Sequence, residues 1–349
     1  MAKIQKELDS GGLFGKNCKW ITAAIGAGAC MGTGAFLFAT NFSDYSTPGL
    51  SIMGPGAFIM CLIIRVYQEC RFKLRTGSWF KPKGSRVIGP DGKILYKTLI
   101  PVFMNIVTNG GYLCLMAQGW KFAKAAGLNQ GVISTLLSLA SLFNIIIFYL
   151  KFGEKISPLH FIGIFLMIAC IICISVAATT DGEDVEDFDP DDTFGLSSTV
   201  SGILAILCGL MSALLMSTKH LFIRLFKSNY SGVDQGIDTS LIEFGLYMLL
   251  FIPLLNNPEV NLTYTDMLIG GIAGCLVALG RILISVAVSI GLAGPAQSLM
   301  STHALHQSFW SAIVAGQELT VLQYLGLLFG LTGVASISVF DHIAKKIAS

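Results

Sequence analysis

One arginine interrupts a long apolar run. Arg281 lies inside CLVALGRILISVAVSIGL, residues 275–292. A guanidinium in such a setting is costly unless it faces a cavity or a partner, and its planar fork suits carboxylate or phosphate. A second polar group follows in GPAQSLMSTHALHQSFW, residues 294–310. His303 and Gln307 are four residues apart and share one helix face; Thr302 and His306 share a neighbouring face. Imidazole titrates near physiological pH and can carry a coupled proton. Upstream, Asn105, Asn109 and Tyr112 follow near-helical spacing, with Gln118 and Asn144 further along. This set fits a polar chamber for a small anionic molecule. The alternative for Arg281 is a structural ion pair with Glu243 or snorkelling to the inner surface. For each histidine it is hydrogen bonding between helices.

The elements that must hold these groups follow from composition. The 349 residues are 53% hydrophobic and 13% charged, and the mean hydropathy is +0.70. Soluble domains carry about 25% charged residues, so this apolar excess points to a polytopic membrane protein. Ten spans of about 20 residues fall at 20–40, 50–69, 97–119, 127–150, 157–178, 198–222, 238–256, 265–289, 294–315 and 320–341. No cleavable signal precedes the first, which is expected to serve as the targeting signal. Glycines at four-residue spacing (Gly28 and Gly32, Gly270 and Gly274, Gly326 and Gly330) allow close helix approach. The nine cysteines lie mostly in apolar runs and read as packing residues. Cys170 and Cys173 form a C-x-x-C without a second half, so no metal site and no cofactor are expected.

Charge sorts by region. Basic residues crowd the N-terminal tail (1–18) and its edge, the loop at 70–97, Lys151 and Lys155, the cluster Lys219, Arg224 and Lys227, and the tail at 342–349. These fall on one side of a ten-span chain, whereas Lys121 and Lys124 fall in opposite-side loops and Arg65 and Arg281 within spans. The positive-inside rule then places both termini in the cytosol. Lys219, His220 and Arg224 read mainly as interfacial anchors at the inner end of the sixth span. The linker at 179–197 contains DGEDVEDFDPDD and lies on the non-cytosolic side, as do the sequons at Asn41 and Asn261. The basic, aromatic segment RVYQECRFKLRTGSWFKPKG is expected to lie against the cytosolic lipid surface.

The chain also repeats. FGEKISPLHFIGIFLMIACIICISV at 152–176 parallels AGQELTVLQYLGLLFGLTGVASISV at 315–339. AAGLNQGVISTLLSL is echoed by SIGLAGPAQSLMSTH with a shift of one residue. Two five-helix units result, 19–178 and 198–341. Five being odd, the second unit inserts upside down, and inverted repeats are typical of secondary transporters. With the turns GEKIS and GQELT and the stretch GLAGPAQSL, the chain resembles the EamA-type repeat of the drug/metabolite transporter superfamily. It departs in having Gln317 and Glu318 where the first copy has Glu154 and Lys155, and in the length of the loop at 70–97. The resemblance implies an all-α membrane fold of ten helices as two inverted five-helix repeats, and movement of a small metabolite.

The expected activity is secondary transport, by exchange or proton coupling, of a small polar anionic metabolite. The alternative is a transporter-like subunit that no longer transports. H-E-x-x-H, G-x-S-x-G and phosphate-loop motifs are absent, so neither an enzyme nor an ATPase is expected. The expected partners are the metabolite, the lipid bilayer and a second copy or a larger membrane complex, with no nucleic acid.

Overall fold

The structure is a computed structural model that describes residues 16–42, 50–77, 96–125, 136, 139–154, 157–180, 197–227, 230–256, 262–314 and 321–338. The N-terminal tail to residue 15, most of the basic loop, the start of the fourth span, the acidic linker, Asn229, Asn261 and the C-terminal tail lie outside the described residues.

Every described element is helical. The order is α1 (Lys16–Phe42), a 3-10 turn (Leu50–Met53), α2 (Gly54–Thr76), α3 (Tyr96–Ala125), α4 (Ala140–Phe152), α5 (Pro158–Thr180), α6 (Ser198–Leu225), α7 (Gly232–Leu255), α8 (Tyr264–Ile290), α9 (Ala293–Met300), α10 (His303–Val314) and α11 (Val321–Ser338). Six helices are long and apolar enough to cross a membrane. The chain is a multi-pass membrane protein: Leu150, Leu249, Leu250, Ile313 and Leu331 stand exposed on outward faces, which only lipid would tolerate at this density. The eight described cysteines are free.

Local chemistry sets the helix ends. Ser231 accepts the Asp234 backbone N–H at 3.1 Å and starts α7 six residues before the apolar run expected from 238. Thr263 and Asp266 form a reciprocal capping box at α8. Glycines in the left-handed region end two helices, Gly77 (φ 71°) after α2 and Gly153 (φ 64°) after α4. The expected ninth span is broken into α9 and α10 at Ser301 and Thr302. Both hydroxyls turn back onto helix carbonyls, Ser301 to Gln297 at 3.1 Å and Thr302 to Leu299 at 2.8 Å.

Extensive packing joins helices from opposite halves of the chain, among them α1 with α8, α3 with α6, α5 with α11, α2 with α7, and α4 with α9. Small residues permit it. A Cβ on Gly274 would overlap the Met53 carbonyl oxygen, so α8 lies flush on the 3-10 turn. Gly28 and Gly32 of α1 receive the α9–α10 break: a Cβ at either would overlap Thr302 Oγ1 or the His303 carbonyl. The main core joins both halves, from Trp20, Ala24 and Phe148 to Met216, Ile284 and Leu299.

Candidate functional site

Four helices converge on a buried polar chain. On α3, four-residue spacing puts Asn105 and Asn109 on one face, both buried. Asn109 accepts from Lys219 Nζ of α6 at 2.8 Å. The same amide donates to Glu243 of α7. Glu243 Oε1 lies 2.8 Å from Arg281 Nη1 of α8, and Tyr247 donates to that oxygen at 3.2 Å. Tyr112 stands beside the guanidinium, which also lies 4.8 Å above the Phe244 ring. Asn105 donates weakly to Gln235 at 3.4 Å. Gln235 in turn donates to the Ile223 and Tyr230 carbonyls, tying the chain to the α6–α7 turn.

A small hollow opens beside these groups, with room for about one ordered water. Asn105, Lys219, Gln235, Thr239, Glu243, Arg281 and Ser285 line it. Two cations face one carboxylate there, so the lining carries one net positive charge. Not every polar atom is satisfied. Arg281 Nη1 meets Glu243 as an ion pair, but Arg281 Nε, Asn105 Oδ1 and Thr239 Oγ1 have no hydrogen-bond partner. Arg281 and Glu243 are only 6% and 3% exposed, and unmet groups at that depth cost about 1–3 kcal/mol each, more when charged.

The sequence-derived set therefore divides. Arg281, Asn105, Asn109 and Tyr112 come together, and the alternative partner for Arg281, Glu243, is its partner here. Asn144 does not join them: its amide donates to His220 Nδ1 at 2.9 Å, between α4 and α6. Gln118 is exposed on α3. His303 and His306 sit at the α9–α10 break against Gly32, and are not among the residues lining the hollow. The Gln307 side chain lies outside the described residues. Lys219 and His220 are buried, with 6% and 0% exposure, and so are not interfacial anchors. The sixth span runs on to Leu225, which places Lys219 almost two turns inside it.

A second polar layer closes the end where α4 and α8 stop and α7 begins. Arg65 of α2 reaches Asp234 at 3.1 Å and Asp238, both on α7. Tyr230 donates to Asp238; burial, with that carboxylate beside it, pushes the phenol's pKa up. Arg224 gives Nη2 to Glu154 at 2.6 Å and Nη1 to the carbonyls of Val288, Ser289 and Gly291 at 2.8, 3.1 and 2.8 Å. Burial pushes the Glu154 carboxyl up, and Arg224 pulls it partly back. Each ion pair joins the first half of the chain to the second.

No family model matches the sequence, and no curated protein matches it. Its fold does have solved counterparts: 28 chains match. One, described as "Crystal structure of protein", superposes with a TM-score of 0.68 over 95% of this chain and 100% of its own, at 13% identity. That likeness is one of fold alone.

Proposed function

We propose that the chain is a secondary transporter of a small, polar, anionic metabolite, working by alternating access. The observation that carries this reading is the hollow, where Lys219 and Arg281 outnumber Glu243 and lining residues carry polar atoms without a hydrogen-bond partner. An incoming carboxylate or phosphate balances the extra charge and fills the guanidinium fork. Asn105 Oδ1, left without a donor, suits a hydroxyl on the same ligand.

Ten spans in two inverted repeats account for the packing. If span k of the first half corresponds to span k + 5 of the second, the α1–α8 contact becomes the α6–α3 contact. The α2–α7, α4–α9 and α5–α11 contacts map onto themselves. All of these are among the observed pairs. Such a two-fold puts the site at the interface between the halves, near mid-depth. With the basic loop facing the cytosol, the Arg65 and Arg224 ion pairs close the cytosolic end, and both termini are cytosolic.

The test is flux into proteoliposomes across a panel of organic acids and phosphate esters, with Lys219→Gln and Arg281→Gln as controls. The expected result is uptake or exchange of at least one anion, lost in both variants. Folded protein that moves none of them overturns the proposal. The second reading, a subunit that no longer transports, draws on the small size of the hollow. Stoichiometric subunits retained through purification in mild detergent would favour it.

A further inference from the structure

Part of the anion site is already filled by the protein itself. Glu243 is the one carboxylate among the residues lining the hollow, and it lies against Arg281 where a ligand's acid group would bind. We propose that Glu243 is a displaceable internal anion, which holds Arg281 in the empty protein and with which the transported anion must compete. This rests on the reading of the hollow as an anion site.

Three features support displacement over a permanent pair. First, the pairing is incomplete. A settled arginine–carboxylate pair is commonly bidentate; here one close approach is made, through Nη1 at 2.8 Å, and Nε has no hydrogen-bond partner. Second, Glu243 keeps other donors when Arg281 leaves it. Asn109 holds Oε2 and Tyr247, one turn further along α7, holds Oε1. Third, Lys219 does not contact Glu243 directly but reaches it through Asn109, whose oxygen takes Nζ while its nitrogen serves Glu243. The series Lys219–Asn109–Glu243–Arg281 thus cross-braces α6, α3, α7 and α8. An anion that takes Arg281 breaks the series at its last link and frees α8 from the brace. Occupancy and helix movement are then one event.

The test uses the full chain in detergent, with sulfate as the probe and chloride at matched ionic strength as the reference. Wild type, Glu243→Gln and the double variant E243Q/R281Q are titrated, and thermal stabilisation is read. The expected result is a half-maximal sulfate concentration about tenfold lower in E243Q than in wild type, within the usual range for coupled sites. The gain should vanish in the double variant. Equal midpoints in wild type and E243Q, or a gain that survives loss of Arg281, overturn the proposal while leaving the anion site standing. Sulfate that stabilises none of them removes the anion site as well. Should E243Q fail to yield monodisperse protein, Glu243→Asp withdraws the carboxylate by one methylene; a smaller gain is expected, and no gain overturns the proposal.

Discussion

Glu243→Gln should destabilise the protein more than Arg281→Gln does, and the two losses should not add. The hollow holds Lys219, Arg281 and Glu243. Removing the guanidinium leaves one cation and one carboxylate, still bridged by Asn109. Removing the carboxylate leaves two buried cations and no counter-charge. Breaking one side of a buried pair costs about 3–5 kcal/mol. For R281Q the remaining balance trims that to about 2 kcal/mol, part of it the stacking on Phe244 at 4.8 Å. For E243Q the cost is about 4 kcal/mol, since two like charges face each other in a site of low dielectric. The assay is thermal unfolding of purified protein, where about 2–4 °C accompanies each kcal/mol in chains of a few hundred residues. A double-mutant cycle completes it, with an expected coupling of about 2 kcal/mol. Additive losses, or R281Q as the worse variant, would refute the charge reasoning.

Loosening the end layer should open the hollow from that side. With a single cysteine at Ser285 in a cysteine-free background, Arg65→Ala and Arg224→Ala should each raise labelling by a soluble maleimide about tenfold, the order of a 1.4 kcal/mol shift in opening; unchanged rates would argue against a gate there. Gly274→Val puts a branched side chain against the Met53 carbonyl and should cost about 1–3 kcal/mol by overpacking, read as a lower unfolding temperature, whereas Gly110→Ala, inside α3 and meeting nothing within 4 Å, should instead stabilise by up to about 1 kcal/mol. Glu154 has a raised carboxyl pKa in the fold, so its contribution is fully present below the ordinary glutamate range and is lost as pH rises through the raised value. Stability measured against pH should therefore fall through that window in wild type, and Glu154→Gln should flatten the fall; identical profiles would dismiss Glu154 as its source.

Much of the site could be read from residue type and spacing, and the exceptions have physical causes. Arg281 declares itself because a charge in an apolar run must be met, and Glu243 is the near carboxylate on the preceding span. Asn105, Asn109 and Tyr112 declare themselves by helical spacing. Lys219 was hidden by its neighbours: with His220 and Arg224 it looks like the basic end of a helix. The polar residues Ser212 and Ser217 earlier on α6, both buried, were a usable sign that this face turns inward. Gln235 was missed because Ser231 starts α7 before its apolar run begins. The histidines lie apart from the hollow, beside a helix break that carries neither proline nor glycine. What makes it is a pair of hydroxyl residues and a groove of glycines on α1, distant in sequence. The apolar, membrane-length helices are written in composition; which helix meets which is written in small residues far apart, and only the packed chain brings them face to face.

The clasp made by Arg224 has a kinetic consequence. One planar group serves Glu154 on the α4–α5 connection and three carbonyls at the close of α8. Its two nitrogens cannot swivel independently, so tilting away from the carboxylate also strips the carbonyls. If the halves part at that end, as the proposed alternating access requires, they should part abruptly, and single-molecule distances across it should show two levels and a jump between them.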